Sequence, residues 1–406
     1  MSDKRASLGG LAPELQCLIA DHVDPSGLLS LRLTNRSFAA AVEDRFVPTF
    51  FTTRVHLVTR HALHALGEIC AVPRWTAHLE EIELVFCKAR EPDYSIPIET
   101  RRPLECRCAN ANIKIELEYE ALFDNEYDVL LLTQMFCNLN RAKRRVRISV
   151  GPDDYKMGIS VFGVKTFERV IDHPLDIWLG PGDGGQKIVG DLLTAAAAAG
   201  YRFSELLLFD GTDDRHIEEI ELDIPAPLLD QLRTCWSTLT RLVLGHVRND
   251  QYDSSRDVVH QLLPSATRLE ELTISGSTWK ADTVRDWAES LQTTCLRKLE
   301  MWQITGYMRD FIALFVRHKR TLRKLELVFC CMEPYPDGCW LTLFWHVATL
   351  LQLEHFCGAD FEYWDACTLR HAGKRLEWDY RDNASALAQV EYLRIPGNTY
   401  MSNEMD

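Results

Sequence analysis

Gly180-Pro181-Gly182-Asp183-Gly184-Gly185, running into Gln186 and Lys187, is the stretch whose residue types come nearest to chemistry. Glycines ahead of a helix let backbone N–H groups cradle a phosphate, while a lysine reaches the outer oxygens and a Ser/Thr hydroxyl meets magnesium. Here Gln186 intervenes before the lysine, and Ile188 stands where the hydroxyl belongs. The run reads as a strand-to-helix turn rather than a nucleotide site. Glu116, Glu118 and Glu120, and the acidic stretch from Asp210 to Asp223, could hold a cation or a basic partner, but a solvated face needs no ligand. Arg141, Lys143, Arg144, Arg145 and Arg147 suit a partner contact or a localisation signal. With Val146 and Ile148 alternating among them, they equally suit a strand edge. The thirteen histidines show no HExxH or other paired ligand spacing, and the thirteen cysteines include no CxxC. Cys106 with Cys108, and Cys330 with Cys331, are too close for a metal finger. No Gly-x-Ser-x-Gly elbow occurs. Nothing assembles a nucleophile, a base and an oxyanion site, so the chain is expected to be non-catalytic, without metal or cofactor. An enzyme with a pocket that motifs miss is a third-ranked reading.

Those residues need a scaffold, and 406 residues supply ample core for one. The hydrophobic fraction of 46% and charged fraction of 26% are those of an ordinary globular chain. No run approaches eighteen apolar residues, so no membrane span is expected. Residues 1–10 lack an apolar export core, which points to reduced thiols and a place in the cytoplasm or nucleus. Residues 1–60 carry seven Lys/Arg against six Asp/Glu, leaving −15 of the net −14 on the remainder. An acidic body argues against sequence-independent nucleic-acid binding and permits a basic protein partner.

A pattern Leu-x-x-Leu-x-Leu recurs along that body. It is clear at Leu239-Leu242-Leu244, Leu269-Leu272-Ile274, Leu296-Leu299-Met301 and Leu322-Leu325-Leu327. Leu79-Ile82-Leu84, Phe203-Leu206-Leu208 and Val390-Leu393-Ile395 are good copies, and Leu353-Phe356 is weaker. Fainter copies sit at Ile113-Ile115, Val146-Ile148 and Leu175-Ile177, giving intervals of 26 to 37 residues. Between them, 186–199, 226–236, 282–291, 307–317 and 339–350 carry apolar residues at helical spacing. Strand, turn and helix repeated in this way bury a continuous core only by stacking neighbours. If the leucines point inward, the residues between and just after them face a concave surface. Those are Glu83, Arg147, Asp176, Trp178, Leu207, Phe209, Val243, Thr273, Ser275, Glu300, Trp302, Glu326, Val328 and Arg394. Trp178, Phe209, Glu300, Trp302 and Glu326 are the candidates for target binding, because aromatics on a charged strip anchor interfaces.

The N-terminus has a different grammar. In Leu11-Ala12-Pro13-Glu14-Leu15, Pro13 suits a first helical turn, and Leu15, Leu18 and Ile19 share a face. Asp24 can cap and Pro25 open a second helix that places Leu28, Leu31 and Leu33 against the first. Thr34 or Asn35 can cap a third, from Arg36 to about Asp44, with Phe38, Val42 and Phe46 on one side. Taken alone, this is a three-helix cap on a repeat array.

The stretch also resembles an F-box, through Leu11, Pro13, Glu14, Leu15, Ile19, Asp24-Pro25, Leu28, Leu31, Leu33, Asn35-Arg36 and Phe38. Ala12 sits where that family usually has its proline, and Phe38 where many members carry Trp. The resemblance implies docking to the Skp-type adaptor of a cullin–RING ubiquitin ligase through Leu11, Pro13, Leu15, Ile19, Leu28, Leu31 and Phe38. The body is similar to the irregular leucine-rich repeats behind many F-boxes, fungal ones included. In such repeats the positions of Cys87, Cys330 and Asn398 bond the turning backbone. The expected fold is therefore α/β, a small three-helix F-box followed by an irregular leucine-rich-repeat solenoid. Residues 1–8 are expected to be disordered, 9–50 the F-box, 51–78 a linker helix, 79–401 the solenoid and 402–406 a frayed end. The implied function is substrate recognition in an SCF-type ligase, with a non-degradative interaction scaffold as the alternative.

Overall fold

The computed structural model describes residues 10–90, 95, 98–151, 161–178, 183–208, 226–245, 258–275, 283–332, 340–359, 361–365, 368–372 and 376–379. Phe209, the acidic stretch 210–223, Val390, Leu393, Arg394, Ile395, Asn398 and both expected frayed ends lie outside the described residues.

Three helices open the chain: α1 (Pro13–His22), α2 (Pro25–Thr34) and α3 (Arg36–Phe51). Their starts follow local chemistry. Asp24 accepts from the Gly27 N–H at 2.6 Å and Asn35 from the Phe38 N–H at 2.9 Å. Pro13 and Pro25 fill first-turn positions whose N–H has no helical partner. α3 runs seven residues past the expected Asp44, because Phe46, Val47 and Phe51 prolong its buried face through Pro48.

Next come β1 (Thr53–Leu57), α4 (Arg60–Ala71), α5 (Pro73–Thr76) and β2 (Glu81–Ala89). The expected linker helix over 51–78 is therefore wrong, since it contains the first strand of the sheet, parallel to β2. Arg54 and His56 occupy the places aligned with Ile82 and Leu84, so neither motif position of β1 is apolar. The chain continues through α6 (Ile98–Asp124), α7 (Tyr127–Arg141), β3 (Arg147–Val150), α8 (Val164–Ile171), β4 (Leu175–Trp178), α9 (Asp183–Ala199) and β5 (Glu205–Leu208). Then follow α10 (Ala226–Trp236), β6 (Arg241–Leu244), α11 (Val258–Leu262), β7 (Glu271–Ser275), α12 (Thr283–Ser290), β8 (Lys298–Trp302) and β9 (Thr305–Gly306). The last described elements are α13 (Met308–His318), β10 (Lys324–Val328), β11 (Cys331–Met332), α14 (Trp340–Leu350), β12 (His355–Ala359), β13 (Phe361–Asp365), β14 (Thr368–Ala372) and β15 (Leu376–Asp379).

The architecture is mixed α/β. One open sheet runs β1-β2-β3-β5-β6-β7-β8-β10-β12-β15, parallel until β15 returns antiparallel to β12. A second sheet, β14-β13-β11-β9, forms just beyond the ends of the main strands. The repeated apolar positions stack as rungs. Ile82, Ile148, Leu206, Leu242, Leu272, Leu299, Leu325 and Phe356 are aligned neighbours, all buried against the helices. Stacking like on like removes each leucine from water on both sides, which favours burial by roughly 25 cal/mol per Å². Ile148 of the Val146-Ile148 copy belongs to this ladder, in β3. Ile113-Ile115 does not: it lies inside α6, where Cys108, Ala111, Ile115 and Leu122 make one helical face. Leu175-Ile177 is not a rung either, because β4 runs antiparallel to β2 beyond the ladder. The expected helices appear within a few residues as α9, α10, α12, α13 and α14, with Gly200 ending α9 at φ 60°.

Among the described residues, the other face of the sheet carries an apolar cover at its N-terminal end. There Cys108, Ala111 and Ile115 of α6, Phe167 and Ile171 of α8 and Leu175 of β4 close over Val55, Leu57, Val85 and Cys87.

Candidate functional site

In the N-terminal module, α1 turns Gln16 and Ala20 inward and α2 turns Leu28 inward. Leu15 (48% exposed) and Leu18 (54%) therefore point outward on α1, as do Leu29 (48%) and Leu33 (79%) on α2. The expectation that Leu33 packs against α1 fails. The seven proposed docking residues divide accordingly: Pro13 and Leu15 are exposed, Leu11, Ile19 and Leu31 are half-buried, and Leu28 and Phe38 are fully interior. Leu28 and Phe38 are thus corrected to packing residues. Leu28 joins Ala20, Val42, Phe46, Val47 and Phe51 in a core that borrows Ile69 from α4. The module is fastened to α5 by Phe51 stacked on Trp75 at 4.8 Å and by Glu43, which meets Arg32 at 3.3 Å and Arg74 at 3.2 Å.

The second candidate surface is the sheet face away from the helices. Its first row, in register, is Glu81, Arg147, Glu205, Arg241, Glu271, Lys298, Lys324 and His355. Arg147 lies 2.7 Å from Glu205 and 3.7 Å from Glu81, and Arg241 lies 3.9 Å from Glu205 and 3.6 Å from Glu271. Charge alternates from Glu81 to Lys298, so that Arg147 and Arg241 each meet carboxylates on both adjacent strands, and the alternation ends at Lys324 and His355. Of this row only Arg147 stands out in the sequence, as part of the basic cluster. The rest could have been found by aligning the motif copies, because each stands two residues after the copy's first apolar position.

The next row is Val55, Glu83, Ser149, Leu207, Val243, Thr273, Glu300, Glu326 and Cys357. Only Thr273, Glu300 and Glu326 of that row are half-exposed; the others are buried. Trp302 and Ser275, aligned one row on, are also half-exposed, while Val328 beside them is buried. Beyond the first row, the accessible described residues of this face on these two rows therefore lie on β7, β8 and β10. Glu300 accepts from the Thr273 hydroxyl at 2.6 Å and lies 2.5 Å from the Lys298 ammonium. Burial, and then the facing Glu300 carboxylate, push the Glu326 carboxyl above its usual range. Glu300, Trp302 and Glu326 thus share one face on neighbouring strands. Trp178 does not join them, because β4 sets it opposite Phe86 in an antiparallel pair. Asp176, on the same strand, is paired with Arg90 at 2.7 Å.

Lys187, at the glycine-rich run, is engaged by Asp191 at 3.2 Å and lies 5.6 Å above the Phe123 ring. The basic cluster does structural work at a turn: Arg144 donates to the Leu79 carbonyl at 2.9 Å and Arg145 to that of Arg202 at 2.6 Å. Burial raises the thiols of Cys70 and Cys330 to about 12 and those of Cys87 and Cys235 to about 11, so they stay protonated and inert at neutral pH. Among the described residues no cluster of three or more His, Cys, Asp or Glu could hold a metal ion, and no helix is long and apolar enough to cross a membrane. The chain matches no family model, and no curated protein matches it.

Proposed function

We propose that the chain is the substrate-recognition subunit of an SCF-type cullin–RING E3 ubiquitin ligase. In this reading α1 to α3 act as an F-box that docks a Skp-type adaptor, and the strand–helix units act as leucine-rich repeats that hold a target protein. The observation that carries it is the outward set Leu15, Leu18, Leu29 and Leu33, presented by two helices whose inner positions go to other residues. Leu15 and Leu18 share an outward face of α1 and Leu29 and Leu33 one of α2, and exposed apolar pairs on two helices suit a protein partner. Support for the target site is the half-exposed group Thr273, Glu300, Trp302 and Glu326, next to the partly exposed charged row on the same face. The chain contributes no bond-making residue. It acts by holding the target near a charged ubiquitin-conjugating enzyme, which raises effective concentration.

The test uses purified adaptor and the full chain. Leu18→Ala/Leu33→Ala should weaken binding by at least about tenfold, since Leu18, 54% exposed, and Leu33, 79% exposed, each have at least about 1 kcal/mol of burial left to gain. Its melting temperature should move by less than about 2 °C, because neither side chain is in the core. Undiminished binding by this folded variant would sink the reading. For the alternative, a non-degradative scaffold, the same variant in cells would mislocalise the target rather than let it accumulate.

A further inference from the structure

Gln16 is out of keeping with its surroundings. Only 1% exposed, it faces a small apolar core where a leucine would add hydrophobic burial. A buried primary amide is tolerated only when its donor and acceptor are used. Both are: Nε2 donates to the Leu11 carbonyl at 2.9 Å, and Oε1 accepts from the Ser37 hydroxyl at 2.6 Å. One side chain thereby joins the segment leading into α1 to the first turn of α3, 21 residues further on.

The lead-in needs that tie. Ala12 occupies the N-cap position of α1 with no side chain to cap it. The N–H groups of Leu15 and Gln16 bond to the Ala12 carbonyl at 3.0 and 3.1 Å, which fixes Ala12 but not the residue before it. Among the described residues, the Gln16 amide is the hydrogen bond that fixes Leu11. The body of α1 does not depend on it, because the Arg45 guanidinium of α3 independently grips the Ala20 carbonyl near the other end of the helix. Gln16 therefore governs the direction of the lead-in more than the packing of the helix.

We propose that Gln16 is a positioning residue of the docking surface: anchored on Ser37, it holds Leu11 and Pro13 in the orientation that the adaptor meets. This rests on the adaptor-docking reading above. A lead-in ordered beforehand spares the complex the entropy of ordering it on association.

The experiment compares the full chain with Gln16→Met, Gln16→Glu and Arg45→Met. Gln16→Met keeps the length without the amide, and Gln16→Glu still accepts from Ser37 but no longer donates to Leu11. Arg45→Met removes the other α1–α3 tie and reports what loss of packing alone does. Two readouts are taken: the backbone order parameter of Leu11 in the free protein, with Ala12 as the internal control that its own backbone bonds keep rigid, and affinity for purified Skp-type adaptor. Both Gln16 variants should bring the Leu11 order parameter below about 0.6 and weaken adaptor binding by about three- to tenfold. Arg45→Met should lower thermal stability and leave both readouts unchanged. A rigid Leu11 in the Gln16 variants would overturn the proposal, as would Arg45→Met matching them in both readouts. Should Gln16→Met fail to fold, Gln16→Glu alone decides. If the wild-type chain does not bind the adaptor, the docking reading falls, and the order parameters still decide whether Gln16 holds the lead-in.

Discussion

In the body, Leu272, Leu299 and Leu325 stand side by side on adjacent strands, each with an apolar neighbour in register and helices above. In the module, Leu15, Leu18, Leu29 and Leu33 lie on helices of comparable apolarity and face water. The difference comes from what stands opposite each element. A parallel strand inside the sheet has a neighbour on both edges and a helical layer on one face, so every motif leucine finds an interior. The helices of the module share a core of seven buried residues, one of them borrowed from α4. That interior is filled by Ala20, Leu28 and the aromatic face of α3, and the remaining leucines have nowhere inside to go. Apolar spacing thus reports which residues share a face, and the size of the interior decides whether that face is buried.

The largest expected effect separates the two uses of leucine. Leu299→Ala should destabilise the chain by about 2–5 kcal/mol in urea unfolding, through lost burial and the cavity left behind. Leu18→Ala should change it by less than about 0.5 kcal/mol. Equal costs would mean that the exposed leucines are packed in solution, and the contrast between the regions would be lost.

Two buried titratable groups sharpen the comparison next. His56, on β1 where the module meets the body, is fully buried, and desolvation and the nearby Arg54 charge lower it from 6.5 to about 3. Asp128 of α7, fully buried in the helical layer, is raised from 3.8 to about 8 by burial and then by the Asp191 carboxylate. The unfolded chain binds a proton at His56 that the fold refuses, so stability falls as pH drops from about 6.5 towards 3. The fold keeps a proton at Asp128 that the unfolded chain has lost, so that contribution fades as pH rises from about 4 and is gone above about 8. The two oppose each other in weak acid, which leaves the Asp128 loss to dominate between about pH 6.5 and 8. Its slope there is at most about 1.4 kcal/mol per pH unit. Asp128→Asn should flatten that slope in urea titrations and leave the acid limb in place. An unchanged slope in the variant would assign the alkaline loss to other groups.

Much of the body was legible because its motif is an identity signal: leucine at a fixed offset, copy after copy, with helical spacing between. Legibility failed where a position kept its place and changed its chemistry. β1 carries Arg54 and His56 on the rungs of Ile82 and Leu84 and so looked like linker. Ile113-Ile115 mimicked a rung locally, although the longer 108–122 face is helical. In the module the sequence marks the helices and their caps, and Leu28 and Leu33 still go to opposite environments, because what fills a small core depends on all three helices at once. Gln16 carried no visible signal, since a glutamine between apolar residues ordinarily marks an outer face. The charged row was present in the sequence but needed the register to become a row.

That row yields the smallest expected effect and the finest comparison. Arg147–Glu205 and Arg90–Asp176 have the same 2.7 Å separation. The first pair is 30% exposed at both ends and flanked by Glu81 and Arg241, whereas the second is 59% and 41% exposed at the edge of β4. Strand register already fixes the spacing of Arg147 and Glu205, so less side-chain freedom is lost in making the pair. Water and salt also screen it less. A double-mutant cycle with Arg147→Met and Glu205→Gln should give a coupling of about 1 kcal/mol. The matching cycle with Arg90→Met and Asp176→Asn should give about 0.3 kcal/mol or less. Raising the salt to about 1 M, where the Debye length is about 3 Å, should erase the second coupling and leave most of the first. Equal couplings with equal salt dependence would show that distance alone sets the strength of these pairs and that the ladder adds nothing by its order.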